Sequence, residues 1–274
     1  VLDRAGFDIS RRHDWRKDYA QVDLPRMQEG GLDGGFWVIY TAQGALTERG
    51  YAKALAHARH RNQVIDEMLR GHGPDFEFAS SAEDAPRIAA TGKRIVYKSI
   101  ENAYPLGENL DLLDEFYAAG VRMVGLVHSK NNQFADSATD LKGQKWGGLS
   151  PLGRQLIRRA NRLGMIVDMS HAHDDALAQA IELSATPIIL SHSGAAFLHK
   201  HPRNVPDDLL KKLARSGGVI QINSLSAYLR ESRADPNRLP EFLAIYRKYQ
   251  NAPGGMRENH KAFVAERRAL DKKY

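Results

Sequence analysis

An α/β fold with a parallel sheet is what this 274-residue sequence predicts, and three observations carry that reading. Short runs rich in valine, isoleucine and aromatics alternate with longer stretches of helical periodicity. The short runs are almost wholly apolar, as strands are when both faces of their sheet are covered. No Pro/Gly-rich linker or low-complexity segment divides the chain, so one domain over residues 1–274 is the economical arrangement. Such a domain is either a (β/α)-barrel or a doubly wound sheet, both of which join parallel strands by right-handed crossovers.

The elements follow in order. FWVIY (36–40) is the first expected strand. TERGYAKALAHARHRNQVIDEMLRG (47–71) follows as a helix, opened by Thr47 and closed before Gly71-His72-Gly73. RIVYKSI (94–100) and VRMVGLV (121–127) are strands, separated by the helical pattern of LDLLDEFYAAG (110–120). PLGRQLIRRANRLG (151–164) leads into the strand MIVDMS (165–170), and DDALAQAIELSA (174–185) into PIILS (187–191). PDDLLKKLARSGG (206–218) leads into GGVIQIN (217–223), with Asp207 and Asp208 suited to a helix start. Residues 224–274 read as a polar loop followed by a charged helical tail.

With 42% hydrophobic and 26% charged residues, the composition is that of a soluble globular protein. No stretch reaches the ~18 consecutive apolar residues of a transmembrane segment. The first residues, VLDRAGFDISRRHDW, contain no apolar signal-peptide core, and removal of one before this point leaves both a cytoplasmic and an exported, periplasmic location open. The absence of cysteine excludes disulfides, thiolate metal sites and cysteine nucleophiles. The net charge of +6 raises the question of nucleic acid, but acids are interleaved with the basic residues, as in RENHKAFVAERRALDKKY. That pattern suits an exposed helix, and no nucleic-acid partner is expected.

In a parallel α/β fold the carboxyl ends of the strands share one face, and sites are built there. Four successive strands end in Glu101, His128, His171 and His192, so three imidazoles and a carboxylate are expected to converge. A single histidine at a strand tip is commonly structural; four polar tips in succession are not. These groups suit Zn²⁺, whose catalytic sites combine histidine and carboxylate ligands with an open position for water. His173 and His199 lie beyond the tips, in structural or solvent-facing positions. Arg203, in AAFLHKHPRNVPDD, hangs over the same mouth. Its guanidinium either clamps a substrate carboxylate bidentately or pairs with Asp207 or Asp208.

Five stretches carry a further pattern: VDLPRMQEGGLDGGFWVIY (22–40), GVRMVGLVHSKNNQFADSA (120–138), IVDMSHAHDDAL (166–177), PIILSHSGA (187–195) and HPRNVPDDLL (201–210). In content and order they resemble the membrane (renal) dipeptidase family of zinc-dependent dipeptidases, over roughly residues 20 to 223. The resemblance implies a TIM-like (β/α)8 metallo-hydrolase barrel that cleaves the peptide bond of dipeptides through a metal-activated hydroxide. It implies two zinc ions bridged by Glu101, with His171 and His192 completing one of the two sites. His128 takes the place of the histidine that contacts substrate near the scissile carbonyl, and Arg203 that of the arginine binding the terminal carboxylate. Family members often dimerise, although no stretch here defines a homodimer interface.

The sequence also departs from that family. The His-x-Asp pair expected at the end of the first strand is absent; His13-Asp14 is adjacent, which along a strand places the two side chains on opposite faces. The catalytic aspartate of the last strand, in an Asp-Phe-Asp-Gly-type segment, has no counterpart. Six strands are visible where a closed barrel has eight. The missing first and last strands are ring neighbours, so their absence leaves one gap with two exposed edges. The expectation is therefore an interior portion of a longer chain, weakly active or inactive alone and fully active when complete. A variant whose gap is covered in another way is the alternative. Two other functions stay open: a metal-dependent amidohydrolase-type barrel hydrolase acting on a cyclic amide, ester or nucleobase, and a non-catalytic barrel with an incomplete metal site.

Overall fold

The computed structural model describes residues 2–4, 6–231 and 235–274. Its strands are β1 (Gly34–Tyr40), β2 (Phe76–Phe78), β3 (Arg94–Glu101), β4 (Val121–Gly125), β5 (Ile166–Asp168), β6 (Ile189–Ala195), β7 (Asn204–Val205) and β8 (Val219–Ile222). Helices α1 (Trp15–Asp18) and α2 (Leu24–Glu29) precede β1, and α3 (Glu48–Gly71), α4 (Asp84–Ala89), α5 (Asp111–Ala118), α6 (Pro151–Leu163), α7 (Asp174–Leu183) and α8 (Asp207–Arg215) alternate with the strands. After β8 come α9 (Ser226–Leu229), α10 (Arg238–Gln250), α11 (Gly255–Glu258) and α12 (His260–Lys273).

The six strands expected from the apolar runs are β1, β3, β4, β5, β6 and β8, and each pairs in parallel with the next. Strand order in space therefore follows chain order with no reversal, which removes the doubly wound alternative, since that fold reverses at a switch point. β2 and β7 were not foreseen; at three and two residues they are too short to show a period. Among the described residues β1 pairs only with β3, and β8 only with β6. The result is a curled parallel half-barrel with two sheet edges.

Helices cover its outer face. Val96 and Ile100 of β3 enter the main core, which also holds Ile65, Leu113, Leu156, Leu177 and Leu213 of the surrounding helices. Ile95 and Tyr97, on the alternate face, join a separate small cluster with Ile88 of α4. Local chemistry sets the helix ends. Thr47 and Ser150 accept from Gly50 and Gly153 backbone N–H groups at the starts of α3 and α6. Gly164 ends α6 at φ 75°, a left-handed conformation that glycine adopts without strain. Gly153 is required by proximity, because a Cβ there would lie 2.0 Å from the Phe134 carbonyl oxygen. On the inner face Val38, Ile166 and Val219 remain exposed, as befits an open sheet.

The tail is more ordered than a loop and one helix. α10 and α12 pack through Tyr249, Phe263 and Val264, with Tyr19 against them. Tyr19 donates to Asp271 at 2.6 Å, and the Arg267 guanidinium lies 3.9 Å from the Tyr19 ring centre. The tail thus folds back on the amino-terminal segment; residues 232–234 within it lie outside the described residues. Among the described residues no helix is long and apolar enough to cross a membrane.

Candidate metal centre

Three strand tips bring their donors to one point. Glu101 ends β3, His171 follows β5 by three residues, and His192 lies within β6. One ligand atom from each lies within 4.8 Å of the other two. Glu101 Oε1 is 3.2 Å from His171 Nε2 and 3.3 Å from His192 Nε2, and the two Nε2 atoms are 2.8 Å apart. The backbone contributes to this convergence: His171 has φ 72°, unusual for a non-glycine residue, and this turns its ring inward just past the strand.

The electrostatics suit a cation. Burial alone raises the Glu101 pKa, but the adjoining His171 and His192 rings outweigh it and hold the carboxyl well below its usual range. Burial pushes His171 down to about 3, against the opposing pull of the adjoining Glu101 carboxylate. At neutral pH Glu101 is therefore a carboxylate and His171 a neutral imidazole, the protonation states that metal ligands need. Donors around a tetrahedral zinc, at about 2.0–2.1 Å from the ion, are separated by about 3.3 Å. The two carboxylate-to-imidazole separations match that edge. The Nε2–Nε2 separation is shorter by half an ångström. The donor set fits a divalent metal.

His128 stands beside this group rather than in it. Its Nε2 is 3.6 Å from Glu101 Oε1, its ring centre is 4.0 Å from that of His171, and Tyr40 packs on it at 4.9 Å. Burial lowers its pKa, so it too is neutral. Arg203 is 4% exposed. Instead of pairing with Asp207 or Asp208, it donates from Nη2 to the His192 carbonyl at 2.9 Å and lies 5.5 Å over the Tyr228 ring. Its Nε is buried with no partner. A cavity of about 410 Å³ opens beside the Arg203 loop, between His173, His201 and Pro206, and not over the three donors.

Residues 4–262 match the membrane dipeptidase family, Peptidase family M19. The chain belongs to this family. Dipeptidase tcpJ of Claviceps purpurea is 36% identical over 223 residues, which is 79% of this chain and 52% of that protein. The crystal structure of the probable dipeptidase PvdM from Pseudomonas aeruginosa is similar with a TM-score of 0.79 at 30% identity, covering 100% of this chain and 72% of that one. A metallo peptidase from Rhodobacter sphaeroides, liganded with a phosphinate mimic of the dipeptide L-Ala-D-Ala, shares the fold with a TM-score of 0.69 at 23% identity over 92% of this chain and 84% of that one. The chain spans about half the length of the curated relatives it matches.

Within this dipeptidase-family sheet, several polar residues at the mouth escaped the sequence reading. Tyr40 ends β1 opposite Glu101 in register. Asp168 and Ser191 form hydrogen bonds directly behind His192. Both were visible in the repeated pattern DMSH and ILSH, where a serine precedes each histidine. Tyr228 lies in a segment that carries no motif, and nothing in the sequence signals its place over Arg203. His173 is the N-cap of α7, accepting from the Asp175 N–H. His13 bonds to Asp18 and the Asp8 carbonyl, within the amino-terminal segment.

Proposed function

We propose that this chain carries the metal site of a zinc-dependent dipeptidase and that the whole protein hydrolyses the peptide bond of dipeptides. The observation that carries the reading is the gathering of Glu101 Oε1, His171 Nε2 and His192 Nε2 from three adjacent strand tips in a dipeptidase-family fold. When bound, zinc supplies Lewis-acid activation of water and of the peptide carbonyl. Glu101, His171 and His192 are its ligands. Glu101, whose Oε1 makes the close contacts to all three histidines, would also be the carboxylate shared with a second ion. The other ligands of that ion come from outside this three-residue group.

His128, neutral and beside the donors, is placed to donate a hydrogen bond to the oxyanion that develops on the scissile carbonyl. Arg203 binds the substrate's terminal carboxylate. Its buried, unpartnered Nε and its stacking on Tyr228 keep a rigid guanidinium ready for a planar anion. Such a clamp favours short peptides, in line with the dipeptidase names of the relatives and the dipeptide mimic held by the Rhodobacter structure.

The half-barrel is, on this reading, the larger part of a single (β/α)8 barrel domain whose first and last strands bridge β8 to β1. The two sheet edges and the exposed inner apolar residues support this. The test combines metal analysis with turnover. Zinc should co-purify and be lost in the His171→Ala and His192→Ala variants. Dipeptide hydrolysis by the protein completed with its remaining strands should be abolished by a chelator and restored by zinc. Turnover that persists without metal would refute the proposal.

A further inference from the structure

Behind His192 lies a chain of hydrogen bonds whose direction is fixed by chemistry. Asp168, 4% exposed, spans the tips of β5 and β6. Its Oδ1 accepts the backbone N–H groups of Ser170 at 2.9 Å and Ser191 at 3.1 Å, and its Oδ2 accepts the Ser191 hydroxyl at 2.5 Å. The Ser191 Oγ is in turn 2.7 Å from His192 Nδ1. A carboxylate can only accept, so the single hydroxyl hydrogen of Ser191 points to Asp168. Towards His192, Ser191 can then only accept, and Nδ1 must carry the proton. A neutral imidazole protonated at Nδ1 has its lone pair on Nε2, the atom that faces Glu101 and His171.

We propose that Asp168 and Ser191 are positioning residues that lock His192 in the Nδ1–H tautomer and so aim its Nε2 lone pair at the metal before the metal arrives. The inference deepens the proposed function and rests on its reading of His192 as a ligand. The device is one-sided. His171 Nδ1 is buried with no hydrogen-bond partner, so the orientation of that ring comes from its left-handed backbone and its packing. Ser170 serves His192 differently, accepting its backbone N–H at 3.0 Å and leaving the ring to Ser191. The two Ser-His repeats therefore do not serve their own histidines symmetrically. Both serines converge on His192.

Groups that hydrogen-bond the outer ring nitrogen of a metal-bound histidine commonly change metal affinity by about 10–100-fold when removed. Two readouts test the relay. The first is the imidazole ¹⁵N spectrum of the metal-free protein at pH 8, with the His192 signals assigned by comparison with His192→Ala. The expected result is a single Nδ1–H tautomer in the natural protein, retained in Ser170→Ala, lost to a mixture in Ser191→Ala and recovered in Ser191→Thr, which keeps the hydroxyl. The second is zinc affinity, measured by competition with a chromophoric chelator. Ser191→Ala should bind zinc about 10–100-fold more weakly, and Ser191→Thr should recover most of that loss. Asp168→Asn gives an independent check, because its amide can donate towards Ser191 and so upset the direction of the chain.

A natural protein with mixed tautomers, or a Ser191→Ala protein of unchanged tautomer and zinc affinity, overturns the relay. So does a Ser170→Ala effect on the tautomer as large as that of Ser191→Ala. Failure of the metal reading looks different: the natural protein and His192→Ala would then bind zinc equally, while the ¹⁵N spectra would still decide the tautomer.

Discussion

Lys98 offers a quantitative test of how the site's platform is held. It sits three residues before Glu101 on β3, between the core residues Val96 and Ile100, and is 3% exposed. All three ammonium hydrogens are used: Nζ donates to Asp66 Oδ1 at 2.5 Å, to Asn62 Oδ1 at 3.0 Å and to the Ala119 carbonyl at 2.9 Å. Removing Asp66 strands a buried charge, which typically costs about 3–5 kcal/mol. The Asp66 side chain is 35% exposed, so water screens the pair and the lower end, about 3 kcal/mol, is expected for Asp66→Ala. Lys98→Met keeps the apolar stem and removes the charge that needed compensation. It gives up hydrogen bonds of about 1 kcal/mol net each but recovers desolvation, so its cost should be about 1 kcal/mol. The ordering is counter to intuition: deleting the less buried partner should be the more damaging change. With a urea slope of about 3 kcal/mol per molar, the two midpoints should differ by about 0.7 M. Equal midpoints, or a Lys98→Met protein less stable than Asp66→Ala, would refute the reasoning.

Other consequences concern protons, packing and substrate. Because burial holds the His171 pKa down to about 3, the unfolded chain binds a proton below about pH 6.5 that the folded chain refuses, so metal-free stability should fall as pH drops through that window. Thermal melts in a chelator should show this slope, flattened in His171→Gln; an unchanged slope would show that His171 does not titrate this way. His13 has the opposite sign. Burial opposes its charge, but hydrogen bonds to the Asp8 carbonyl and Asp18 carboxylate prevail and raise its pKa. Its stabilisation should be full below pH 6.5 and lost as pH rises through the folded value, so the melting-temperature gap to His13→Gln should close in alkali. Gly153→Ala forces a methyl against the Phe134 carbonyl, and a loss of about 1–3 kcal/mol in urea unfolding is expected. Arg203→Lys in the completed enzyme should raise KM for dipeptides roughly tenfold with a smaller change in kcat, because a point charge replaces a fixed fork.

The fold was legible where periodicity had room to show. Six apolar runs became six successive parallel strands, and helices such as α3 and α6 begin at the residues whose side chains cap them. The choice between barrel and doubly wound sheet was not legible, because both share the same alternation; only the pairing order separates them. β2 and β7 escaped for want of length. The packing of the tail escaped for another reason. Its docking comes from Tyr19 meeting Asp271, 252 positions away, and the neighbouring Arg267, and interleaved charges look alike on a solvated helix and on one docked against a distant segment.

For the site, the sequence supplied residue types and strand ends, which suffice to say that Glu101, His128, His171 and His192 share a mouth. They do not suffice to rank them. Three of the four meet at a point and the fourth stands aside, and the difference is small in backbone terms. His171 reaches the point because its backbone turns left-handed after β5, whereas His128 follows β4 into a loop and meets Tyr40 and Ser129. Nor could the order of residues say which serine serves which imidazole. Both Ser-His pairs look identical as text, yet one carboxylate between β5 and β6 makes the second histidine the braced one and leaves the first without a partner at Nδ1. A repeated motif on adjacent parallel strands thus produces unequal histidines, since the buried Asp168 takes the hydroxyl of Ser191 but only the backbone N–H of Ser170.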